Sequence, residues 1–371
     1  MKNIAVLGST GSIGRQTLEI ARAFPQNINV FALAAGKNTT LLQQQISEFK
    51  PKLFYSEIAI QKRTQAKYCT LEEIAAHPEI DLVVVATAGK AGLNPTLAAI
   101  KAGKNVALAN KEVLVMAGEI VVDEARRHKV EILPIDSEHS AIWQCLRGEK
   151  HGEIKKIILT ASGGPFRDKS LADLAEVTPE EALAHPTWQM GTKVTIDSST
   201  LMNKGMEVIE AHWLFDVSYS MIEVVVHPQS IVHSCVEFVD GSIKAQMSLP
   251  DMRLPIQCAL SYPKRWGADY QTELDFKTIG SLNFEMPDLK KFPALRLAIE
   301  AGERGGTYPA VLSAADEVAV ELFLQKKIGF LDIPKVLEET VEQHDCISKP
   351  SLDDILAADM WARETIYSKY E

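Results

Sequence analysis

The chain has 371 residues, of which 46% are hydrophobic and 24% are charged, as expected for a globular protein with more than one domain. A net charge of −10 argues against a nucleic-acid or anionic-membrane partner. The five cysteines are scattered without a CxxC pair, so we expect neither a disulfide framework nor a zinc site. The first apolar run stops at Gly8, and no apolar stretch approaches the roughly 20 residues that span a bilayer. These features predict a cytoplasmic protein without a membrane segment.

Residues 1–150 alternate strand and helix patterns, as a parallel α/β sheet requires. The predicted strands are 4–7, 30–34, 53–55, 82–86, 106–109 and 132–135. The clearest helical patterns between them are 16–24, 71–76, 95–102 and 114–128. This order predicts an α/β fold whose N-terminal domain is a Rossmann-like parallel sheet.

The pattern changes after residue 150. Strands are predicted at 154–160, 222–226, 231–238 and 242–247, and Asp240-Gly241 is typical of a hairpin between the last two. We therefore predict a central α+β catalytic domain over 151–262. Proline, glycine and charged residues interrupt 263–287, which indicates a linker. Only helical patterns follow, which predicts a C-terminal helical bundle over 288–371, with helices at 292–303, 310–325, 333–344 and 352–367.

A glycine-rich motif, GSTGSIG at 8–14, joins the first strand to the first helix. Glycines permit a tight turn, and the backbone N–H groups of a helix N-terminus favour a pyrophosphate. The spacing is GxxGxxG rather than GxGxxG, and the alternative is a simple glycine-rich turn. The strand–turn–helix context favours a dinucleotide site.

The second strand ends in AAGKNT at 34–39, where NAD enzymes of this fold place an acid for the ribose hydroxyl. Here Lys37 stands beside Asn38, which favours the 2′-phosphate of NADPH, although a solvated surface lysine remains the alternative. After the fifth predicted strand come Asn110, Lys111 and Glu112. Their position at the sheet edge predicts substrate or nicotinamide contact, while a helix start capped by Asn110 is an alternative that is compatible with it.

Asp136 and Glu138 follow the last strand of the first domain at spacing i, i+2. On a strand end they would project the same way and supply two hard oxygen ligands for Mg²⁺ or Mn²⁺. The alternative is an ordinary acidic helix cap. A later cluster over 197–207 places serines and a threonine before a helical pattern that carries Lys204 and Glu207. It predicts an anion site with a third metal carboxylate, and the alternative is a surface pair at i, i+3.

Two further segments, SGGP at 162–165 and HPTWQMG at 185–191, bracket an acidic stretch. Trp188 within the second segment is a candidate for a lid over a bound ligand, and a packed loop tryptophan is the alternative. His227 and His233 lie on predicted strands, and we expect both to be structural.

These motifs, in this order, resemble the 1-deoxy-D-xylulose 5-phosphate reductoisomerase family. The resemblance runs from residue 1 to about 330. It rests on GSTGSIG at 8–14, AGKN at 35–38, ANKE at 109–112, PIDSEH at 134–139, SGGPF at 162–166, HPTWQMG at 185–191, MNKGME at 202–207, HPQSIVHS at 227–234 and PDMRLPI at 250–256. Thr187, Met206, Ser313 and Asp316 depart from the usual family pattern.

The resemblance implies a set of site residues, position by position. Ligands of Mn²⁺, Mg²⁺ or Co²⁺ would be Asp136, Glu138 and Glu207. The substrate's phosphate end would contact Ser162, His185, Ser198, Asn203 and Lys204, and its reacting end Lys111, Ser137 and Glu138. Catalysis would fall to Lys111 and Glu138. NADPH would contact Thr10, Gly11, Ser12, Ile13, Gly36, Lys37, Asn38, Asn110, Glu112 and Gly191.

The resemblance also implies the reaction and the assembly. A homodimer would convert the sugar phosphate 1-deoxy-D-xylulose 5-phosphate into 2-C-methyl-D-erythritol 4-phosphate, in the non-mevalonate isoprenoid pathway. The carbon skeleton would first rearrange at the metal, and NADPH would then reduce the resulting aldehyde. Two other readings of the residues remain open: another NADP-dependent aldehyde or semialdehyde dehydrogenase, and a non-catalytic NADPH sensor.

Overall fold

The chain is represented by a computed structural model that describes residues 1–60, 64–184, 188, 190–267 and 273–370. It divides into two compact units. The first comprises Met1–Val113, Glu119–Ser140 and Asp251–Thr272. The second comprises Leu114–Gly118, Ala141–Pro250 and Glu273–Glu371. Across the described residues, no helix combines the length and the apolar character that crossing a membrane requires.

The elements are numbered in chain order. The strands are β1 Lys2–Leu7, β2 Ile28–Ala35, β3 Leu53–Ser56, β4 Lys67–Tyr68, β5 Leu82–Val85, β6 Asn105–Leu108, β7 Ile132–Pro134, β8 Ile154–Ala161, β9 Ile222–Val226, β10 Val232–Phe238 and β11 Ile243–Met247. The α-helices are α1 Ser12–Ala23, α2 Thr39–Phe49, α3 Leu71–Ala75, α4 Leu93–Lys101, α5 Glu112–His128, α6 Ser137–Cys145, α7 Leu171–Leu174, α8 Pro179–Ala182, α9 Thr192–Thr200, α10 Met202–Phe215, α11 Arg253–Ser261, α12 Phe276–Ile279, α13 Pro293–Arg304, α14 Tyr308–Leu324, α15 Ile333–Gln343 and α16 Leu352–Tyr370.

The first unit contains a parallel sheet with the strand order β4-β3-β2-β1-β5-β6-β7. Strands β1 and β5 are buried almost throughout, as their runs of Ile, Ala, Val and Leu predict for a sheet covered on both faces. The strand order reverses between β1 and β5, and ligands of open α/β sheets bind at the carboxyl ends of strands at such a point. The predicted Rossmann-like sheet is confirmed.

The second unit contains a four-stranded sheet in the order β11-β10-β8-β9. Strands β8 and β9 are parallel, and β10 is antiparallel to both β8 and β11. Helices α9, α10 and α13–α16 share one hydrophobic core with this sheet. The predicted α+β region and the C-terminal helices are therefore both present in this unit.

Several elements differ from their predictions. Helix α2 was missed because its run of threonine and glutamine hides the apolar face, on which Leu42 and Ile46 are buried. Strand β4 was missed because it has only two residues, both exposed. The division into three domains and a linker stays a prediction, and the compact units group the chain differently: 251–272 belong to the first unit, while 288–371 share the second with 151–250. The predicted linker carries the short helix α12.

Candidate active site

The glycine-rich turn lies between β1 and α1 in the first unit. Gly8 has a φ of +90°, and a Cβ there would lie 2.2 Å from the carbonyl oxygen of Ala86. A Cβ on Gly14 would lie 2.2 Å from the oxygen of Gly8, so both glycines are required by close packing of the turn. Gly11 is the N-cap of α1, with no side-chain cap and no acidic residue in the first turn. This helix N-terminus therefore has the uncapped N–H groups that an anion site requires, and its role in cofactor binding stays a prediction.

The end of β2 carries the residues predicted to read the cofactor's ribose. Gly36 and Lys37 are exposed, and Asn38 caps α2 by accepting a hydrogen bond from the amide of Leu41 at 3.2 Å. A carboxylate oxygen of Glu57 lies 3.2 Å from the point where a side chain on Gly36 would begin. Sequence analysis did not identify Glu57 as a neighbour of Gly36, because Glu57 follows β3, about twenty positions further along the chain than Lys37.

Asn110 and its two successors are buried at the end of β6. The amide of Asn110 donates to the carbonyl of Gly89 at 2.8 Å and to the hydroxyl of Thr87 at 3.2 Å. Its side-chain oxygen accepts from the amide of Val113 at 3.3 Å. Asn110 therefore caps the start of α5 and also ties it to the segment after β5, so the two readings of this motif are compatible.

The segment after β7 differs from its prediction. The strand ends at Pro134 and α6 begins at Ser137, so Glu138 lies in the first turn of a helix. The expectation of a strand end for Asp136 and Glu138 is wrong, since the chain becomes helical between them, but their carboxylates still converge, with oxygens within 4.8 Å of each other. The acidic helix cap describes the local backbone correctly: an oxygen of Asp136 accepts from the amide of Ser137 at 2.8 Å.

The same short segment keeps its carboxylates close to polar partners. The ammonium of Lys111 lies 2.6 Å from Asp136, and both side chains are largely shielded from solvent. The hydroxyl of Ser137 donates to Glu138 at 2.6 Å. Two hard oxygen ligands within one helical turn, with a cation beside one of them, fit the donor chemistry that Mg²⁺ or Mn²⁺ selects.

In the second unit, the serine-rich cluster also differs from its prediction. Residues 192–200 form helix α9, so Ser198 lies in the last turn of a helix rather than before the start of one. Leu201 adopts a left-handed conformation with a φ of 61°, and α10 begins at Met202. The sequence reading missed α9 because threonines and serines favour helix ends and turns in general.

Helix α10 carries a buried polar triad. The ammonium of Lys204 contacts one carboxylate oxygen of Glu207, and the side-chain amide of Asn203 donates to the other at 2.5 Å. Lys204 is 4% exposed and Glu207 is 1% exposed. The surface-pair alternative is therefore wrong, because a surface ion pair would be solvated. Burying a charged group costs several kcal/mol per ion, and this pair has to offset that cost. Its burial therefore marks the triad as a candidate functional group.

The SGGP turn lies against the end of α9. Gly164 has a φ of +67°, and a Cβ there would lie 2.5 Å from the carbonyl oxygen of Ser198. The hydroxyl of Ser162 accepts from the amide of Gly164 at 3.3 Å. The structure thus places the turn that carries Ser162 beside the helix end that carries Ser198, two residues that were predicted to hold the same phosphate.

The predicted lid is only partly described. His185 lies outside the described residues, as do Pro186, Thr187 and Gln189. Trp188 is half-buried, with its ring centroid 6.2 Å from that of His233, and Gly191 is the N-cap of α9. The lid stays a prediction.

The two strand histidines are both buried. His227 has both ring nitrogens in hydrogen bonds, with the carbonyl of Asn283 at 2.8 Å and with the amide of Ile231 at 3.2 Å. His233 is hydrogen-bonded to Ser248 at 2.8 Å, and burial lowers its pKa to about 4. The two hydrogen bonds of His227 and the burial of His233 are in line with the expected structural role.

Three family models match the chain. Residues 4–118 match 1-deoxy-D-xylulose 5-phosphate reductoisomerase, residues 132–215 match its C-terminal domain, and residues 247–365 match the DXP reductoisomerase C-terminal domain. A relative of that name from Pelotomaculum thermopropionicum is 56% identical over 98% of this chain and 97% of its own length. The chain belongs to this family.

Other members of the 1-deoxy-D-xylulose 5-phosphate reductoisomerase family agree over the whole length. One from Caldanaerobacter subterraneus is 53% identical, with both chains fully covered. The solved reductoisomerase of Zymomonas mobilis in complex with NADPH has a TM-score of 0.90 and 43% identity, covering 100% of this chain and 99% of its own. A solved DOX-P reductoisomerase with NADPH, fosmidomycin and magnesium has a TM-score of 0.91 and 40% identity, covering 100% and 98%.

Within each unit, the structure brings together several of the residues that the family resemblance implies. In the first unit these are Lys111 with Asp136, and Ser137 with Glu138. In the second they are Asn203 and Lys204 with Glu207, together with the Ser162 turn and Ser198. Their individual roles in the reductoisomerase reaction stay predictions.

Proposed function

We propose that the chain converts 1-deoxy-D-xylulose 5-phosphate into 2-C-methyl-D-erythritol 4-phosphate, using NADPH and a divalent metal, as an oxidoreductase and isomerase of isoprenoid synthesis. The observation that carries this proposal is the full-length match to the reductoisomerase family, together with the buried Lys204–Glu207 pair at the predicted substrate and metal positions. The free-energy cost of burying an ion pair in a predicted site is better explained by a function of that site than by stability alone.

The first unit would bind the cofactor. The turn at 8–14 offers uncapped backbone N–H groups for the pyrophosphate, and Lys37 offers a charge for the 2′-phosphate. Contacts with NADPH are proposed for Thr10, Gly11, Ser12, Ile13, Gly36, Lys37, Asn38, Asn110, Glu112 and Gly191.

For the metal, we propose Asp136, Glu138 and Glu207 as ligands. All three offer carboxylate oxygens, the donor type that Mg²⁺ and Mn²⁺ share, and each has a polar or cationic side chain in contact. Such contacts orient a ligand before the ion arrives. We propose Mn²⁺, Mg²⁺ or Co²⁺ as the bound ion.

For the substrate, the serine hydroxyls, the amide and the ammonium of the second unit suit a phosphate. Ser198 lies beside the Ser162 turn, and Lys204 supplies a buried positive charge. We propose that Ser162, Ser198, Asn203 and Lys204 hold the phosphate end, with His185 joining from the loop. Ser137, Glu138 and Lys111 would contact the reacting end.

When bound, the divalent ion supplies Lewis acidity to the substrate's ketone and hydroxyl oxygens, and NADPH supplies the hydride that reduces the rearranged aldehyde. Lys111 would hold its positive charge at Nζ beside oxygens on which negative charge develops, and would relay a proton there. Ser137 would orient Glu138 through its hydroxyl. The loop around Trp188 would exclude water and protect the unreduced intermediate.

A phosphorylating aldehyde or semialdehyde dehydrogenase is the second reading, and it needs a cysteine thiolate. Burial raises the pKa of Cys145 to about 11 and that of Cys235 likewise, so neither is a thiolate near neutral pH. A non-catalytic NADPH sensor would not need the paired carboxylates of either unit. Both readings are therefore less favoured.

The decisive assay follows the absorbance of NADPH with enzyme that has been stripped of metal by a chelator. We expect oxidation only when 1-deoxy-D-xylulose 5-phosphate and Mn²⁺ or Mg²⁺ are both present, with NADH much less effective. Oxidation without metal, or with simple aldehydes in place of the sugar phosphate, would favour a plain dehydrogenase. Binding of NADPH without turnover under all conditions would favour the sensor.

We further propose a cytoplasmic homodimer. Strand β11 lies at the edge of the second unit's sheet and is mostly exposed, with Ile243 at 56% and the nearby Val239 at 65% exposed. Met286 in the same unit is 72% exposed. An exposed edge strand presents unpaired backbone N–H and C=O groups that another chain can cover, and a second copy of this strand is our proposed cover.

Light scattering coupled to size-exclusion chromatography tests this assembly. The wild-type protein should elute at twice the chain mass. Ile243→Lys, which places a charge on the exposed edge, should shift it towards the monomer, whereas Lys327→Glu in the C-terminal helical region should not. A wild-type monomer, or an Ile243→Lys protein that remains fully dimeric, would contradict the proposed interface.

A further inference from the structure

A buried cluster of three charges in the second unit plays no part in the proposed chemistry. The ammonium of Lys193 lies 2.6 Å from a carboxylate oxygen of Asp197 and 2.5 Å from one of Asp316. The side chains of Asp197 and Asp316 are 3% and 0% exposed, and that of Lys193 is 21% exposed. One ammonium is thus shared between two carboxylates away from water.

This cluster joins two elements that are far apart in the chain. Lys193 lies in the first turn of α9, and Asp197 lies one turn later on the same helix. Asp316 lies in the middle of α14, and the three charged groups therefore tie α9 to the C-terminal helices. Asp197 directly precedes Ser198, so the tie is made one residue away from a proposed phosphate contact.

Stability alone does not account for this choice of residues. The second carboxylate oxygen of Asp316 is buried and has no hydrogen-bond partner among the described residues. Apolar residues of similar volume are often as stable as a buried ion pair, or more so. What a charged tie adds is a fixed geometry, because each contact is directional and short.

Helix α9 has two ends that matter for the proposed site. Its N-cap is Gly191, at which the predicted lid segment ends, and its last turn holds Ser198 against the Gly164 turn. Beyond it, the left-handed Leu201 leads directly into α10, where Asn203 and Lys204 lie. A rotation or shift of α9 would therefore displace the serine, while the residues of α10 stay anchored in their own helix.

We propose that Asp316, acting through Lys193, is a positioning residue that fixes α9 and so places the Ser198 hydroxyl for the substrate's phosphate. This inference rests on the proposed function. A displacement of about 1 Å in a positioned group can cost on the order of a hundredfold in rate, so a partial loss of the tie should be measurable.

Steady-state kinetics and competition by inorganic phosphate test the proposal. Asp316→Ala should raise the KM for 1-deoxy-D-xylulose 5-phosphate, and the inhibition constant of inorganic phosphate, by about tenfold each, as expected when a positioned contact is lost. The KM for NADPH should rise by less than that for the sugar phosphate, because Gly191 is the one proposed cofactor contact that lies at α9. Asp316→Asn, which keeps the shape and a hydrogen-bond acceptor for Lys193, should recover most of the loss.

A matched control is Glu317→Ala, at the next position of α14. Glu317 is paired with Arg363 of α16 rather than with α9, so its loss weakens the bundle without releasing α9. Glu317→Ala should lower the melting temperature, as Asp316→Ala does, but should leave the KM for the sugar phosphate unchanged. A purely structural role for Asp316 would lower stability in both variants and move the KM in neither.

Ser198→Ala separates failure of this inference from failure of the proposed function. If Ser198→Ala raises both phosphate-dependent constants while Asp316→Ala and Asp316→Asn leave them unchanged, the positioning role is refuted and the function stands. If the wild-type protein does not turn over the sugar phosphate at all, the proposed function fails and this inference with it. Should Asp316→Ala not fold, Lys193→Met, which removes the shared ammonium, takes its place: a raised KM for the sugar phosphate supports the proposal, and an unchanged KM overturns it.

Discussion

Breaking the buried Lys204–Glu207 pair from either side should give opposite effects on metal binding. Glu207→Gln keeps the size of the side chain and an oxygen acceptor but removes the negative charge that a cation requires. Lys204→Met keeps the carboxylate and removes the ammonium that contacts it. Both variants break the same contact between side chains that are 5% and 1% exposed, so they serve as controls for each other.

The expected magnitudes follow from that burial. Removing one partner of a buried pair costs about 3–5 kcal/mol of stability, and both variants should lie towards the lower end, because Asn203 still contacts position 207 in each. For the metal, the loss of a charged ligand contact worth about 1.5–3 kcal/mol raises the Kd of Mn²⁺ in Glu207→Gln by roughly 10- to 150-fold. In Lys204→Met the Kd should be unchanged or lower, because a competing cation has been removed.

Titration calorimetry with Mn²⁺ in the absence of substrate measures both values, and urea unfolding measures the stabilities. The KM for the sugar phosphate should rise in Lys204→Met, in which metal binding is preserved. Equal Mn²⁺ affinities in Glu207→Gln and the wild type would refute the assignment of Glu207 as a ligand. A large loss of Mn²⁺ affinity in Lys204→Met would show that the pair acts on metal binding only through the fold.

Four further predictions follow from other parts of the two units. Lys37→Ala should weaken NADPH binding by about 1.5–3 kcal/mol and leave NADH binding unchanged, whereas Lys50→Ala at the exposed end of α2 should change the binding of neither cofactor. Equal losses of affinity for both cofactors in Lys37→Ala would contradict recognition of the 2′-phosphate by Lys37. The fluorescence of Trp188, obtained by subtracting the spectrum of Trp188→Phe from that of the wild type, should change when substrate or a phosphonate analogue binds, and Trp188→Phe should impair turnover more than NADPH binding. Unchanged fluorescence together with unchanged turnover would make Trp188 a packed loop residue. Burial lowers the pKa of His233 to about 4, so below about pH 6.5 the unfolded chain binds a proton that the folded chain does not bind. The free energy of unfolding of the wild type should therefore fall by about 2 kcal/mol between pH 7 and pH 5, and that of His233→Gln should not show this fall; identical pH profiles of the two proteins in urea unfolding would contradict this. Gly164→Ala should destabilise the protein by about 1–3 kcal/mol and raise the KM for the sugar phosphate, because the new Cβ would meet the end of α9 in a left-handed backbone; an unchanged KM would separate this turn from the phosphate site.

The parallel sheet could be predicted from the sequence because its strands are short apolar runs separated by helical patterns. Such apolar runs indicate buried strands, and the glycines at 8 and 14 predict a tight turn that the structure confirms. The residues of the proposed site could be named because they occur in motifs that resemble those of one family, rather than because their spacing defined a geometry.

What the sequence could not give was the local backbone around these residues. Glu138 was expected on a strand end but lies in a helix, because the pattern PIDSEH satisfies both a strand end and a helix start. Helix α9 was missed because its threonines and serines carry no apolar period. The tie between Lys193 and Asp316 joins residues more than a hundred positions apart, and no local pattern reports such a pairing.

The central claim is that one protein both rearranges the carbon skeleton and reduces it. Product analysis by carbon NMR, with 1-deoxy-D-xylulose 5-phosphate, Mn²⁺ and NADPH deuterated at the transferred position, tests this claim most directly. We expect a branched product, 2-C-methyl-D-erythritol 4-phosphate, with a single deuterium on the carbon that was the aldehyde. An unbranched polyol phosphate with deuterium on the former ketone carbon would contradict it, because that product would show reduction without rearrangement.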